Sequence, residues 1–372
     1  MNFSTQRILV ALSGGVDSSI ASYLLKKKGY QVEAVYVRTW ENEKDALGDC
    51  PGAKDLADAR EVAEFLEIPF HVVNFIDFYH QEIVRPMIQG YADGITPNPD
   101  ILCNRKMKFG ALMKYAKNHD FGALATGHYC RKIMGKDGQA QLLEGNDKNK
   151  DQSYFLAQIS QEQLNYALFP LGEMHKEDVR ILAEKIRLPV AKKKDSQGIC
   201  FLGKVKIPQF LSNFIDDQPG EIITTQGKVV GRHQGLHRYT LGQRKGIGVP
   251  SNTDFENFVV TGKNQEMNQL VVAFEDPKEF TLWGCNYRIE SVFFFTDDFP
   301  TKRIELLGKA RYRDPSTPII FRPLEDQKAE ILFKSPQRAL TPGQILAIYD
   351  GERLIGSGIY SLSELGRAML SA

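Results

Sequence analysis

Cysteine is sparse in this 372-residue sequence, which contains five, an odd number with no two close together. That distribution excludes a disulfide-rich scaffold, which needs paired cysteines, and a zinc site built from closely spaced Cys pairs. Free thiols persist most simply in a reducing compartment, where they can take part in chemistry. We therefore expect a cytoplasmic protein.

An excess of charge of one sign is also missing, because 47 Lys and Arg residues nearly balance 46 Asp and Glu residues. The net charge of +1 indicates no particular partner, so a surface that binds RNA would have to be a local patch. No apolar run approaches the ~20 residues that a helix needs to span a bilayer, and we expect no membrane partner. The length allows two or three domains with substantial cores.

The most distinctive stretch is an apolar run at 8–12 that leads into Ser-Gly-Gly-Val-Asp-Ser-Ser at 13–19 and then into a helical pattern. We call residues 13–19 the Gly-Gly loop. Such a turn at a helix N-terminus suits an anion, because free backbone N–H groups and the positive end of the helix dipole point at it. The loop lacks the signatures of a Walker loop and of a dinucleotide fold. An ordinary strand-to-helix turn with serine caps is the alternative.

Apolar strands and amphipathic helices alternate over residues 1 to about 130, which predicts an α/β fold with a doubly wound parallel sheet. The predicted strands are 8–12, 31–36, 70–75 and 123–126, and the predicted helices include 54–66 and 108–117. Ligands of such sheets bind at the carboxyl ends of the strands. The Gly-Gly loop and the segment 126–128 both fall at that edge.

The rest of the chain changes character twice. Helical patterns cover 161–169, 176–187 and 207–215, and short strands rich in Gly, Thr and β-branched residues follow Pro219. Regularly spaced short strands after 279, one of them at 308–312, are typical of a small β-barrel. The predicted domains are a catalytic domain over 1–215, a small mainly β domain over 216–277, and a C-terminal β-barrel domain over 278–372.

Two cysteines lie in segments that suit a reactive thiol. Cys103 follows a proline-rich loop and would lie near the N-terminus of a helix beginning around Lys108, where a thiol pKa is lowered. Cys200 follows three lysines at 192–194, and cationic neighbours favour the thiolate. A buried structural cysteine and a solvated lysine run are the alternatives. Only the fold could bring together two residues so far apart in the chain.

Two basic segments suit nucleic acid. The Gly-rich loop at 239–248 contains Arg244 and Lys245, and Arg311-Tyr312-Arg313 would lie on a predicted barrel strand. Cations neutralise phosphates, and a tyrosine ring can stack on a splayed base. A solvated surface is the alternative for either segment.

Taken together, these segments resemble the tRNA-specific 2-thiouridylases, a family of ATP pyrophosphatases, over roughly residues 7–359. The matching motifs stand in the family's order: 13–18, 96–105, 126–129, 147–156, 169–172, 195–201, 242–246 and 341–344. Many ATP pyrophosphatases share the first motif. The two cysteine motifs and Lys-Asp-Gln-Ser-Tyr-Phe at 150–155 are much more specific.

The resemblance implies an ATP pyrophosphatase domain followed by the two β domains, and thiolation at C2 of the wobble uridine, position 34, in tRNA. ATP, with Mg²⁺, would adenylate the uridine, and sulfur from a cysteine persulfide would then give 2-thiouridine, AMP and pyrophosphate. The implied partners are tRNA, bound through its anticodon stem-loop, and a protein that donates persulfide sulfur.

The resemblance also implies the site residues. Asp17, Cys103 and Cys200 would be catalytic, with Cys200 receiving the persulfide. Cys103 would release the sulfur and leave a Cys103–Cys200 disulfide, which needs Cα atoms within ~7 Å. The ATP-binding residues would be Ala11, Leu12, Ser13, Gly14, Gly15, Val16, Asp17, Ser18, Val37 and Gly127. The tRNA-binding residues would be Asn98, Pro99 and Asp100 around the target base, and His128, Lys150, Asp151, Gln152, Arg311, Tyr312 and Gln344. No resident metal site is expected.

Two other interpretations remain open at this point. Another ATP pyrophosphatase, such as an amide-forming synthetase, would account for the Gly-Gly loop but would leave both cysteine motifs and the β domains unused. A tRNA-binding protein with a decayed catalytic site is the second, and the intact loop and paired cysteines argue against it.

Overall fold

The computed structural model of this chain describes residues 6–40, 52–195, 207–250, 257–274, 282–295 and 299–361. Of the predicted site residues, Cys200 lies outside these ranges. No helix in the described ranges is both long enough and apolar enough to span a membrane.

The first part of the chain alternates strands and helices. Its strands are β1 (Arg7–Ala11), β2 (Gln31–Arg38), β3 (Phe70–Asn74), β4 (Ala123–Ala125), β5 (Cys130–Met134), β6 (Ala140–Glu144) and β7 (Ala167–Leu168). Its helices are α1 (Val16–Lys27), α2 (Gly52–Phe65), α3 (Ile76–Tyr79), α4 (Arg85–Ala92), α5 (Pro99–Cys103), α6 (Met113–Asn118), α7 (Gln161–Tyr166), α8 (Lys176–Lys185) and α9 (Ile207–Leu211). Two π-helical segments, His80–Val84 and Asn104–Leu112, and a 3₁₀ turn, Ser153–Leu156, complete it.

Five of these strands form one parallel sheet in the order β3-β2-β1-β4-β7. Successive side chains of a strand point to opposite faces, so each strand feeds two cores. In β1, Leu9 packs with α4, α5 and α6, whereas Ile8 and Val10 pack with α1, α2 and α8. Helices therefore cover both faces, and the predicted doubly wound α/β fold is confirmed.

Three predicted helices differ from the structure by three or more residues at one end. The helix predicted over 207–215 ends at Leu211. Helical backbone starts at Pro99 rather than near Lys108, because Asn98 caps α5 through a bond from the Ile101 N–H to its Oδ1 (3.2 Å). A capping Asn before a Pro at the first helical position is a start signal that the prediction did not use. The helix predicted over 161–169 ends at Tyr166, because the next two residues pair with β4 as an edge strand.

The second part of the chain is almost entirely β. Its strands are β8 (Gly220–Thr224), β9 (Val229–His233), β10 (Phe258–Asn264), β11 (Gln269–Phe274), β12 (Trp283–Phe294), β13 (Ile304–Lys309), β14 (Thr317–Pro323), β15 (Ala329–Arg338), β16 (Ile345–Asp350) and β17 (Arg353–Tyr360). A single 3₁₀ turn, Leu236–Arg238, is described among them. Strands β8 to β11 form a small sheet in the order β10-β11-β8-β9, as the predicted mainly β domain requires.

Strands β12 to β17 form a closed antiparallel barrel, because β12 pairs with both β15 and β17. The predicted barrel is confirmed, but one strand differs. The strand predicted at 308–312 ends at Lys309, so Arg311 and Tyr312 lie in a turn, residues 310–316, that we call the barrel turn. The boundaries of the three domains at 215 and 277 stay a prediction.

A hairpin of the first domain extends the barrel sheet. β5 and β6 pair with each other, and β6 pairs with β17 through Leu142 and Leu143. This hairpin is not among the elements predicted from the sequence. It fixes the barrel beside the parallel sheet, so side chains from both can meet.

Candidate active site

The Gly-Gly loop connects β1 to α1 at the carboxyl edge of the parallel sheet. Ser18 holds it closed, since its Oγ accepts from the Ser13 N–H (3.2 Å) and donates to the Gly15 carbonyl (3.2 Å). Gly14 has a φ of +73°, and a Cβ there would overlap the Asp55 carbonyl. Gly15 caps α1, so the first amide N–H groups of that helix open toward the edge of the sheet. The loop therefore has the geometry of an anion cradle.

The loop after β4 lies against the Gly-Gly loop. A Cβ on Gly127 would stand 2.8 Å from the Ser18 backbone nitrogen, closer than real Cβ atoms come to other atoms. The structure thus brings together the two segments that the sequence places at this edge. Three of the other residues predicted to bind ATP, Leu12, Val16 and Val37, have buried side chains that a ligand could not reach. Any contact from these three would come from backbone atoms.

Asp17 stands at the centre of a chain of charges. Its Oδ1 accepts from Tyr129 Oη (2.7 Å) and from Lys176 Nζ (2.6 Å). The same Lys176 nitrogen lies 2.8 Å from Asp195 Oδ1. Burial, reinforced by the Asp17 charge, raises the pKa of Tyr129, so the phenol stays protonated and donates. One buried lysine therefore joins the Gly-Gly loop to the segment that leads into Cys200.

Asp195 is the most heavily paired carboxylate of this group. Its Oδ2 accepts from Lys150 Nζ (2.9 Å), and Arg180 also binds it. Burial by itself would raise the Asp195 pKa, but the hydrogen bonds from Lys176 and Lys150 outweigh it and lower the pKa well below its ordinary value. The carboxylate is ionised at any physiological pH.

The lysine run before Cys200 is not simply a solvated surface. Lys192 and Lys194 are exposed, but Lys193 is half-buried and its Nζ donates to the Gly14 carbonyl (3.0 Å). The same nitrogen pairs with Asp55 (2.6 Å) and with Asp58. The run is therefore attached to the outer side of the Gly-Gly loop.

Residues 150–152 reach three different parts of the molecule. Lys150 binds Asp195, and Asp151 binds Lys309 of the barrel (Nζ to Oδ2, 2.9 Å). The Gln152 side chain accepts from the Tyr129 N–H (3.1 Å), and its own N–H donates to the Tyr129 carbonyl. Asp151 is only 5% exposed, so its side chain faces the protein interior. Its predicted tRNA contact stays a prediction.

Cys103 is completely buried and lies one turn into the helix that starts at Pro99. The predicted position at the N-terminus of a helix starting near Lys108 is therefore wrong. Its neighbours in the core include Tyr154 and Leu156 of the 3₁₀ turn.

The barrel covers the segment that leads into Cys103. Gln344 Nε2 donates to the Thr96 carbonyl (2.7 Å), and the Thr96 N–H donates to the Pro342 carbonyl (3.0 Å). The Tyr312 ring lies 4.3 Å from the Phe155 ring. Arg311 Nη2 donates to the Ala339 carbonyl (2.6 Å), which fixes the barrel turn. Gln344 and Tyr312, which the sequence predicts to contact tRNA, therefore both lie where the barrel meets the first domain.

His128 is buried among aromatic side chains. Thr126 Oγ1 and His128 Nδ1 are 2.7 Å apart, and the Phe109 and Phe169 rings flank the imidazole. Burial, together with the nearby Lys108 charge, lowers the His128 pKa well below its ordinary value. The imidazole is neutral at physiological pH and acts as a fixed hydrogen-bonding group.

Two residues of the site were missed in the sequence. Lys176 is the first residue of α8, where a cation opposes the helix dipole, and this mismatch was the available signal. Lys309 gave none, because a lysine in a barrel strand is unremarkable until its partners are known. Among the described residues, no group of three or more His, Cys, Asp or Glu side chains is placed to hold a metal ion.

The chain matches three family models in order. They are described as the tRNA methyl transferase HUP domain (residues 6–204), the tRNA methyl transferase PRC-barrel domain (208–274) and the Aminomethyltransferase beta-barrel domain (286–360). Together they account for most of the sequence.

Curated relatives match nearly end to end. The tRNA-specific 2-thiouridylase MnmA of Akkermansia muciniphila is 43% identical over 358 residues, which is 96% of this chain and 99% of that protein. The protein of the same name from Pasteurella multocida is 44% identical over 95% of this chain and 92% of its own length. The one from Escherichia coli O139:H28 is 43% identical over 96% of this chain and 98% of its own length. A solved 4-thiouridine synthetase–RNA complex with bound ATP is similar at a TM-score of 0.37 and 19% identity over 56% of this chain and 50% of that one, too distant to support an argument.

Proposed function

This chain belongs to the tRNA-specific 2-thiouridylase family, and from that membership we propose that it thiolates C2 of the wobble uridine, position 34, of tRNA. It is an ATP-dependent tRNA sulfurtransferase. The family-model descriptions mention methyl transfer, but the nearly full-length relatives described above are named for thiolation.

The main support for this proposal is that Lys176 binds both Asp17 of the Gly-Gly loop and Asp195, the residue that leads toward Cys200 in the sequence. Cys200 follows Asp195 by five positions, and an extended chain covers at most ~3.6 Å per residue. Five residues of chain can span at most ~18 Å, which limits the length of the tether. This tether supports a reaction in which the activating loop and the sulfur-bearing cysteine serve the same uridine.

The Gly-Gly loop fits the phosphates of ATP. A Cβ added to Gly15 would meet Ser13 Oγ at 3.4 Å, so the space beside the loop is shallow but open. Backbone N–H groups at the start of α1 and the cation of Lys176 offer donors and positive charge. Mg²⁺, arriving with ATP, would neutralise charge on the phosphates, and Asp17 is the carboxylate of the loop that could bind it.

The proposed reaction has two stages. The C2 oxygen of the uridine attacks the α-phosphate, pyrophosphate leaves, and C2 then carries AMP as a good leaving group. The terminal sulfur of a Cys200 persulfide attacks C2 and AMP departs. The Cys103 thiolate attacks the Cys200 sulfur, which forms a Cys103–Cys200 disulfide and releases 2-thiouridine. Reduction of the disulfide and a new persulfide from a donor protein complete the cycle.

The place where the barrel meets the first domain is the proposed binding place for the wobble base. Asn98, Pro99 and Asp100 lie at the start of the helix that contains Cys103, and the Tyr312 ring packs on Phe155 from the barrel side. A wobble base leaves its stack at little cost and can be held between such surfaces. Further tRNA contacts are proposed for His128, Lys150, Gln152, Arg311 and Gln344. Because the substrate is tRNA and the thiol chemistry needs a reducing compartment, we place the reaction in the cytoplasm.

Nucleoside mass spectrometry tests the proposal. Unmodified tRNA incubated with the protein, ATP, Mg²⁺, a persulfide donor and a thiol reductant should yield 2-thiouridine, and omission of ATP should abolish the product. Cys103→Ser and Cys200→Ser should each abolish it, whereas Cys285→Ser, a cysteine of β12 in the barrel, should leave it unchanged. A Cys200→Ser protein that makes 2-thiouridine at the normal rate would refute the assigned sulfur route.

A further inference from the structure

Lys309 is a buried cation at the end of β13, immediately before the barrel turn. Its Nζ lies 2.9 Å from Asp151 Oδ2 and 2.9 Å from Glu144 Oε1, and the Tyr349 ring lies 5.2 Å away. Both carboxylates belong to the first domain. In such a site the ion pairs are shielded from solvent, so the lysine holds one geometry instead of sampling many.

Asp151 has no acceptor capacity left for another partner. Its Oδ1 accepts from the backbone N–H groups of Gly145 (3.0 Å) and Ser153 (3.1 Å). Its Oδ2 accepts from Ser153 Oγ (3.0 Å) and from Lys309. These four bonds use the roughly four lone-pair positions of a carboxylate. A negative, saturated and buried side chain is poorly suited to contact an RNA phosphate.

The surroundings of this ion pair connect it to the reaction. On the barrel side, Lys309 precedes Arg311 and Tyr312 by two and three positions. On the other side, Lys150 binds Asp195, and the backbone of Gln152 binds Tyr129, whose phenol donates to Asp17. The barrel turn and the Gly-Gly loop are therefore linked by a short series of contacts: Lys309 binds Asp151, the next residue Gln152 binds Tyr129, and Tyr129 binds Asp17.

We propose that Lys309 is a positioning residue for thiolation, which binds Asp151 and thereby sets the barrel turn at a fixed place relative to the Gly-Gly loop. The inference rests on the proposed function. In this arrangement Asp151 acts through Lys309 rather than through tRNA. Because phosphate contacts elsewhere on the surface would be kept, loss of the pair should displace the reacting base more than it weakens tRNA binding.

Steady-state kinetics of the full-length protein test this role. Lys309→Met keeps the length of the side chain but removes the charge, and it should lower kcat for thiolation about tenfold to hundredfold, the effect of a displacement near 1 Å. KM for tRNA and KM for ATP should change less than about threefold. Lys309→Arg, which keeps the charge, should recover part of kcat. Asp151→Asn should reproduce the loss, and the double variant should lose no more than either single variant, because the two residues act as one unit.

Glu352→Gln is the matched control. Glu352 pairs with Lys148 (2.7 Å) and Arg131 across the same contact between first domain and barrel, but at the exposed surface. Its loss should change kcat less than about twofold, as for most exposed ion pairs.

Three results would overturn the inference. Lys309→Met could keep kcat within twofold of wild type, Glu352→Gln could lose as much as Lys309→Met, or Asp151→Asn could raise KM for tRNA at unchanged kcat, as a direct RNA contact would. If Lys309→Met does not fold, Asp151→Asn and Lys309→Arg decide the question. An inactive wild type would refute the proposed function instead, and the two failures are therefore distinguishable.

Discussion

Gly127 provides a direct test of how closely the ATP site is packed. A Cβ at this position would lie 2.8 Å from the Ser18 nitrogen and 2.9 Å from the Asp17 carbonyl carbon, whereas ordinary contact begins at 3.4 Å. In Gly127→Ala the two loops must separate by about 0.6 Å. Both clashing atoms are backbone atoms of the Gly-Gly loop, so no side chain can rotate out of the way. The loop itself has to move.

The size of the effect follows from that displacement. Overpacking of this kind costs about 1–3 kcal/mol of folding free energy. A loop moved by about half an ångström should lower kcat/KM for ATP by about tenfold or more, since a shift near 1 Å costs ~10²-fold. The affinity for tRNA should stay within about twofold, because Gly127 is not among the residues predicted to contact tRNA.

Pyrophosphate release at varied ATP, with tRNA saturating, measures the first quantity, and filter binding measures the second. Gly231→Ala is the control, since a Cβ there would meet side-chain atoms of Val249 and Ile222, which can move. ATP kinetics of Gly127→Ala within twofold of wild type would show that the reasoning about loop contact is wrong. Equal losses in both variants would show a general loss of folding.

Three further outcomes follow from the charges of the site. Hydrogen bonds from Lys176 and Lys150 overcome burial and hold the Asp195 pKa below its ordinary 3.8, so the stability from this carboxylate is present above about pH 4 and is lost as the pH falls further. Urea unfolding of Asp195→Asn should accordingly show a shallower fall in unfolding free energy below about pH 4 than the wild type. Lys176→Met should lower the free energy of unfolding by about 1–3 kcal/mol. A fully buried pair would cost ~3–5 kcal/mol, but Asp17 and Asp195 are one-third exposed. The variant should also raise KM for ATP, and an unchanged free energy of unfolding together with an unchanged KM would contradict the pairing. tRNA affinity should fall steeply with salt, and Arg311→Gln should reduce the slope of log K against log salt by about one, whereas an unchanged slope would exclude a phosphate contact at that residue.

Local patterns were sufficient for much of the fold. The apolar run at β1, the Gly-Gly turn and the helical spacing of α1 agree with one another, so the strand, loop and helix were predictable to within a residue or two. The barrel strands were also predictable from their spacing. Errors occurred where a tertiary contact overrode local propensity, as at Ala167 and Leu168, which leave a helix to pair with β4. At Pro99 a usable local signal was overlooked.

The charged part of the site could not be predicted. Lys176 meets Asp17 across 159 positions of sequence, and Lys309 meets Asp151 across 158. No periodicity relates such residues, because their separation in space depends on the order of the strands in the sheet and on the hairpin that extends the barrel. Burial then selects their partners, since a lysine removed from water must find a carboxylate.

Local sequence was sufficient for the chemistry: a loop with glycines at an anion-binding turn, two cysteines in distinctive segments, and the family to which the chain belongs. Those features are local, because a glycine, a thiol or a short motif keeps its chemical character whatever surrounds it. Which groups meet depends on the tertiary structure. The fold buries Asp151 in the contact between domains, places Lys176 between the Gly-Gly loop and Asp195, and packs Tyr312 of the barrel turn on Phe155. Only chain topology and packing bring such distant residues into contact.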